Sequence, residues 1–246
     1  AFDTLTSMAL SGLYDQVEGG FHRYSTDVQW HCPHFEKMLT DNAQMIELYS
    51  LAYEQQASPL FQRVVLETMD HLMDSWLVKG GVYLSSIDAD SEGQEGLYYV
   101  YKYDEIQSIF DSELCQQVCD YYQVTESGNM KDEASGADTG YNILHPKDVS
   151  IGFDLSQVRS LLNEFRAQNR VHPIKDESVS ISANALLVRS LFISARVFSN
   201  PDWLKKAEML LNNVFMALDA QKDSVYLDDV VYLLQACCEG NDAYIR

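Results

Sequence analysis

Gly19-Gly20-Phe21-His22-Arg23-Tyr24-Ser25 and Gly80-Gly81-Val82-Tyr83-Leu84-Ser85-Ser86 share one pattern, a glycine pair followed by a short strand-like run, sixty-one residues apart. Two stretches of helical periodicity lie between them. One runs from about Pro33 to Tyr53 and carries Phe35, Met38, Leu39, Met45, Ile46, Tyr49 and Tyr53; the other covers 59–78. That is the period of a helical-hairpin repeat with its elaborated loops at one end. A single hairpin cannot bury its apolar face alone, so neighbours must stack, and a curved or closed α/α toroid achieves this with the long loops lining one mouth. The fold expected is mainly α: a single α/α toroid domain over 1–246 with small β-hairpin embellishments in the loops.

Outward from this frame, Phe2, Leu5, Met8, Ala9 and Leu13 form a first apolar stripe, and further helical patterns cover 103–122, 154–169, 178–198, 202–219 and 225–239. Pro33 suits a first helical position, and Asn200-Pro201-Asp202 punctuates the entry to another helix. Val82-Tyr83-Leu84 is expected to pair with Leu97-Tyr98-Tyr99-Val100-Tyr101, with Asp88-Ala89-Asp90-Ser91-Glu92-Gly93 as the hairpin tip. The polar, glycine-containing stretch from Thr125 to Gly140 reads as a flexible excursion.

The 246 residues, 46% of them apolar, suffice for a substantial core without disulfides or metals. A net charge of −20 argues against nucleic acid and anionic membranes as partners, because phosphate binding is driven by Lys and Arg. No run approaches the roughly 18–20 apolar residues of a membrane span. The start, Ala1-Phe2-Asp3-Thr4, has no signal-peptide character and no initiator Met, so upstream sequence is expected to have been removed. Five cysteines, at Cys32, Cys115, Cys119, Cys237 and Cys238, without a CxxC, speak against a secreted disulfide framework and for a cytoplasmic setting. Cys115 and Cys119 are expected on one face of a helix as buried thiols.

Chemistry concentrates between Asp15 and Asp41. Asp15-Gln16-Val17-Glu18 leads through His22-Arg23-Tyr24 and Trp30-His31-Cys32-Pro33-His34-Phe35-Glu36-Lys37 to Asp41-Asn42. On a helix starting near Pro33, His34, Lys37 and Asp41 would share one edge of the apolar stripe, and Asn42 would be buried and hydrogen-bonded. Glu36 would favour the helix dipole from the first turn, and His34 would support the loop above it; both roles are structural alternatives to a functional one. His22, His31, Cys32 and His34 match no zinc spacing, so no metal is expected there. Asp88 to Gly96 has the composition of a calcium loop but not the EF-hand spacing, and a solvated turn with carboxylates at the mouth is expected instead. Asp176-Glu177 and Asp228-Asp229 fit helix caps. No GxSxG, Walker loop, GxGxxG or HExxH occurs, and no cofactor is expected.

Gly12-Leu13-Tyr14-Asp15-Gln16-Val17, Gly19 to Ser25, Pro33-His34-Phe35-Glu36-Lys37-Met38-Leu39, Asp41-Asn42-Ala43 and Asp88 to Gly93 together resemble the YyaL and spermatogenesis-associated protein 20 family, in order and at fitting spacing from about residue 2 to 145. In that family a thioredoxin-like domain precedes a six-hairpin glycosidase-like toroid, similar to those of N-acylglucosamine 2-epimerase and cellobiose epimerase. Later matches thin out: Asp176-Glu177-Ser178 and Ala183-Asn184-Ala185 stand where the family has Asp-Asp-Lys and Trp-Asn-Gly. An incomplete toroid lacking the thioredoxin-like domain is therefore expected.

The resemblance implies a sugar pocket with histidine acid–base chemistry. On that model His22 and His34 are acid–base groups, Arg23 steadies developing negative charge, and Glu36 joins them. Tyr24 and Trp30 supply an aromatic platform, while Lys37, Asp41, Asp88, Asp90 and Asp176 hold hydroxyl groups. An epimerase-like or glycosidase-like enzyme is one reading. The other is a non-catalytic binding or scaffold module that supports a thioredoxin-like partner domain.

Overall fold

The computed structural model describes residues 1–132, 135–147, 151–221 and 224–245, with side chains described as far as residue 241. In chain order the first half contains α1 (Phe2–Ala9), β1 (Tyr24–Ser25), β2 (Pro33–His34), β3 (Lys37–Met38), α2 (Leu39–Gln55), α3 (Pro59–Ser75), β4 (Ser86–Ile87), β5 (Asp90–Ser91), β6 (Gln94–Glu95) and β7 (Tyr101–Lys102). The second half contains α4 (Tyr103–Ile109), α5 (Ser112–Tyr122), β8 (Tyr141–Asn142), α6 (Leu155–Asn169), β9 (Lys175–Asp176), α7 (Ile181–Val197), α8 (Pro201–Ala220) and α9 (Leu227–Ile245). The chain is mainly α, as expected, and its two-residue strands are confined to loops.

Two compact units are described separately below: one built from Asp3–Glu36 and Asp88–Ile174, the other from Lys37–Ile87 and the chain from Lys175 onward. In the second, helical unit, α7 is the spine. Leu186, Leu187, Val188, Leu191, Phe192 and Ile193 are all buried, and α7 packs against α2, α8 and α9. Ala183, Ala185, Ser190, Ser194 and Ala195 bury little volume on this helix and let its neighbours approach closely. Ser194 and Ser50 of α2 share a hydrogen bond of 2.8 Å across one of these contacts. Consecutive helices pair as α2–α3 and α7–α8, so this unit is made of helical hairpins. Its sheet, in the order β3-β4-β9, ties three loops together.

The glycine-pair repeat has a structural counterpart. After α1, Tyr14 bridges Phe21 and the His22 N–H donates to Leu13 O; after α3, Leu77 bridges Tyr83 and the Leu84 N–H donates to Trp76 O. Each turn closes through glycines at positive φ, Gly19 and Gly20 in one, Gly80 and Gly81 in the other. Two helices of this unit, α2 and α7, carry an asparagine at the fourth position. Asn42 of α2 donates to Met38 O, and Asn184 of α7 donates to Ser180 O, both at 2.9 Å. Asn42 is buried and hydrogen-bonded, as its place in the apolar stripe requires.

Three expectations are corrected. The second helix begins at Leu39, not Pro33. Residues 33–38 spend their backbone groups in ladders, Tyr24 opposite His34, Ser25 opposite Pro33, and β3 against β4. Proline is tolerated there because an edge strand does not need its missing N–H. His34, Lys37 and Asp41 therefore do not share a helix edge, and Glu36 is not a first-turn residue. The pattern at 103–122 is two helices. Phe110 is extended and Asp111 caps α5, accepting from the Glu113 and Leu114 N–H groups. Finally, Val82-Tyr83-Leu84 does not pair with Leu97–Tyr101: Tyr83 bridges Leu77, while Tyr101-Lys102 pairs with Tyr141-Asn142.

The acidic loop makes its own hairpin, β5 against β6. Its two-residue turn, Glu92 at φ 54° and Gly93 at φ 78°, has the handedness that matches strand twist. Cys115 and Cys119 lie buried on α5, with their sulfurs 4.0 Å apart. In the stretch from Thr125 to Gly140, Lys131 bridges Asp138; residues 133 and 134 lie outside the described residues.

Candidate functional site

The first unit is organised around a buried cation. Val158, Leu162 and Arg166 fall on one stripe of α6, and Arg166 is 1% exposed. Its Nη1 lies 3.0 Å from Asp15 Oδ2 and 3.4 Å from Glu18 Oε2, and its Nη2 donates to Tyr99 O. The rings of Tyr98, Tyr99 and Tyr101 surround the guanidinium at 5.1, 5.3 and 5.7 Å. Burial pushes the Tyr101 hydroxyl up to about 12, the Arg166 charge only partly opposing it.

His22 rests on this aromatic layer, edge-on to Tyr99 at 4.7 Å and to Phe35 at 5.2 Å. It is buried, and its Nδ1 donates to Phe35 O at 2.9 Å. The sequence reading gave His22 and His34 the same role. The structure separates them: His22 is inside the first unit, and His34 is at its surface.

On the β1–β2 ribbon, Tyr24 and His34 stand directly opposite each other with rings stacked at 4.9 Å, and Tyr24 is 51% exposed. The His34 Nδ1–H donates to Glu95 Oε1 at 2.7 Å, which leaves Nε2 as the basic nitrogen, 3.7 Å from Glu36 Oε2. The same Glu36 oxygen accepts from Arg23 Nη1 at 2.8 Å. Glu95 also accepts from the Phe35 N–H, so its carboxylate is anchored twice. A short chain results: Arg23, Glu36, His34, Glu95, with an aromatic ring laid over the imidazole.

Two residues further along each strand are Thr26 and Cys32, on the same face by the strand period and joined by the bond from Thr26 N–H to Cys32 O at 2.9 Å. Both line a cleft of about 480 Å³ with Asp27, Gln29, His31 and Asn129. Its wall is held by Asp27, whose carboxylate accepts from the Gln29, His31 and Cys32 N–H groups. Burial pushes the Asp27 pKa up, but those donors more than offset it and leave the group below its ordinary value. Trp30, at φ 59°, is half-buried in the same connection.

Behind the cleft, His31 stacks on His145 at 4.0 Å, and its Nε2 donates to Asn129 O. Burial, with the neighbouring His31 adding, pushes His145 down to about 3 from an ordinary 6.5, against a smaller opposing effect of Asp27. The unfolded chain therefore binds a proton that the folded chain refuses between those two values. Stability is complete above pH 6.5 and falls as the pH drops toward 3. Between pH 7 and 4 the loss assigned to this residue is at most about 3 kcal/mol. His145→Phe is expected to flatten that limb of a urea-midpoint against pH curve; an unchanged slope would show the acid sensitivity lies in other groups.

The remaining expected site residues fall elsewhere. Asp88 and Asp90 are exposed, Asp88 accepting from the Asp90 N–H in a local turn. Lys37, Asp41 and Asp176 belong to the helical unit. There Lys37 is fully buried, with Nζ 3.4 Å from His71 Nε2, an atom that also accepts from Trp76 Nε1. A side chain so enclosed does not meet a ligand directly. Asp41 is half-buried in the first turn of α2, and Asp176 is exposed and accepts from the Ser178 N–H. Among the described residues no group of three or more His, Cys, Asp or Glu is arranged to hold a metal ion.

Glu95 and Arg166 were not singled out from sequence. In sequence Glu95 is one acid among several, although the two-residue turn Glu92-Gly93 places it opposite Asp90. Arg166 follows Val158 and Leu162 at four-residue steps, and that phase marks it as inward-facing.

Comparison with known proteins bears on this arrangement. Over 226 aligned positions the chain is 33% identical to spermatogenesis-associated protein 20 of Homo sapiens and 31% identical to that of Rattus norvegicus. The chain is a relative of spermatogenesis-associated protein 20. Each match takes in 80% of this chain but 29% of the curated relative, so the chain spans less than a third of those proteins. An uncharacterized protein of Caenorhabditis elegans is 26% identical over 298 positions, covering 99% of this chain and 41% of its own length. That alignment is longer than the chain, so the worm relative carries segments that this one lacks. No family model matches.

Among solved structures, D-mannose isomerase aligns with 87% of this chain and 51% of its own, at 17% identity and a TM-score of 0.31. A family 76 glycoside hydrolase from a bovine Bacteroides thetaiotaomicron strain aligns with 99% and 50%, at 13% identity and a TM-score of 0.35. Scores this low carry no argument for the fold or the chemistry of this relative of spermatogenesis-associated protein 20. Among the described residues no helix is long and apolar enough to cross a membrane.

Proposed function

We propose that the Tyr24–His34 face and the adjoining cleft bind a carbohydrate. The observation that carries this reading is the exposed Tyr24 ring stacked beside an imidazole whose two nitrogens address two carboxylates, with Arg23 next in line. Aromatic faces suit the apolar side of a sugar ring, and carboxylate, guanidinium and imidazole groups suit its hydroxyls. The cleft of about 480 Å³ has room for a mono- or disaccharide. In an epimerase-like step, His34 Nε2 would take a proton from the carbon beside a carbonyl while Arg23 steadied the developing enolate. Glu95 would hold the ring in place through its bond to Nδ1. His22 serves as a positioning residue that fixes Phe35, and with it the segment carrying His34 and Glu36. That 1–246 forms one toroid domain is part of the same proposal and rests on the family resemblance.

The burial of His22 favours a second reading, a binding module without turnover that supports a thioredoxin-like partner, because an acid–base pair of His22 and His34 is not exposed together. Ligand-detected NMR against a panel of mono- and disaccharides decides between these outcomes. Saturation transfer is expected from at least one sugar, with Tyr24→Ala and His34→Ala each weakening it tenfold or more. Binding with isomerised product supports catalysis, and binding without product supports the module. Signals unchanged in both variants would remove the site from this face.

A further inference from the structure

We infer that the helical unit has a docking groove for a basic amphipathic helix, between α8 and α9. The groove lies over Phe192 of α7 and is lined by Glu208, Leu211 and Asn212 of α8 and Cys237, Gly240 and Asn241 of α9, with a volume of about 470 Å³. Both α8 and α9 pack on α7, which leaves this furrow between them. Gly240 keeps the floor deep, since a side chain there would meet the Phe192 ring at 2.9 Å. Helical steps extend the walls to exposed apolar groups: Phe215, 45% exposed, follows Leu211 on α8, and Leu234, 60% exposed, precedes Cys237 on α9. Thus α9 has two apolar faces. Leu233 and Ala236 are buried, while Leu227, Val230, Val231 and Leu234 at i, i+3, i+4 and i+7 are exposed. A helix with apolar residues on both sides is built to be covered twice.

Charge selects the occupant. Among the described lining residues Glu208 is the one carboxylate and there is no Lys or Arg, and the chain carries a net charge of −20. A second copy of this chain brings the same acidic surface and is disfavoured, whereas a helix with an apolar stripe and flanking lysines meets apolar walls and acidic surroundings together.

The test uses the full chain and a fluorescein-labelled 18-residue peptide with leucines at i, i+3, i+4 and i+7 and lysines elsewhere, read by fluorescence anisotropy. Saturable binding is expected, weakened at least tenfold by Leu234→Asp and by Leu234→Gln, and within twofold of the parent for Leu66→Asp on α3. The sign is diagnostic, because added negative charge strengthens unspecific attraction to a basic peptide but spoils an apolar seat. Equal or tighter binding to Leu234→Asp overturns the proposal, as does the absence of binding. A parent chain that sediments as a dimer and becomes monomeric with Leu234→Asp would overturn the choice of occupant in favour of a second copy.

Discussion

Arg166→Ala is expected to destabilise the unit formed by Asp3–Glu36 and Asp88–Ile174 by about 3–5 kcal/mol, the cost of leaving a buried carboxylate without its partner. Asp15 is 4% exposed, and its Oδ1 already accepts from the Val17 N–H, so removing the guanidinium strands a charge that water does not reach. The aromatic cage adds to the loss, since Tyr98, Tyr99 and Tyr101 each pack against the same cation. Urea unfolding followed by tyrosine absorbance measures the effect, because the probes are these rings. The double replacement of Asp15 by Leu and Arg166 by Met should cost less than Arg166→Met alone, since it removes the fully buried Asp15 charge and leaves only Glu18, which solvent reaches in part. Equal costs for the single and double variants would show that packing, not charge compensation, holds the node.

The second large effect is expected at Asn184→Ala, about 2–4 kcal/mol on the helical unit. Asn184 is fully buried; its Oδ1 accepts from the Tyr83 N–H at 2.8 Å and its Nδ2 donates to Tyr83 O at 2.9 Å. One amide thus satisfies both backbone groups of a residue in the loop after the Gly80-Gly81 turn. Alanine leaves both orphaned in the interior. Amide hydrogen exchange at Tyr83 reads this locally, with protection falling in step with global stability. Asn184→Asp keeps the acceptor but sets an oxygen against Tyr83 O, so it should be no better than alanine. Retained Tyr83 protection in either variant would contradict the clamp.

These two residues also mark how far the sequence could be read. The apolar period places most helices to within a few residues, because burial on one face is a property of residue type and spacing. The repeat of the glycine pairs is equally local and survives as matching bridged turns. What fails is pairing between distant segments. Nothing within Pro33–Met38 says that its backbone will be spent on Tyr24-Ser25 and Ser86-Ile87, and a helix beginning at the proline satisfies every local rule. The Tyr83–Leu77 bridge and the Tyr101–Asn142 pair are overlooked for the same reason. At the candidate site the residue types in 22–36 are legible, while their division into buried His22 and surface His34 depends on which rings pack over them. In sequence Asn184 stands out only within a departure from the family pattern, yet its burial makes it a clamp.

The Glu92-Gly93 turn sets more than a loop shape. Because strand side chains alternate, the number of residues in that turn decides which of two neighbours is delivered to His34. With Glu92 and Gly93 at the turn it is the anion Glu95; one residue inserted after Gly93, with the turn kept at two, would set the neutral amide of Gln94 opposite Asp90 instead. The partner that holds the imidazole is thus encoded as a count of backbone units in a turn about sixty residues away in the chain. Selection could exchange the partner of His34 by insertion or deletion alone, without substituting any residue.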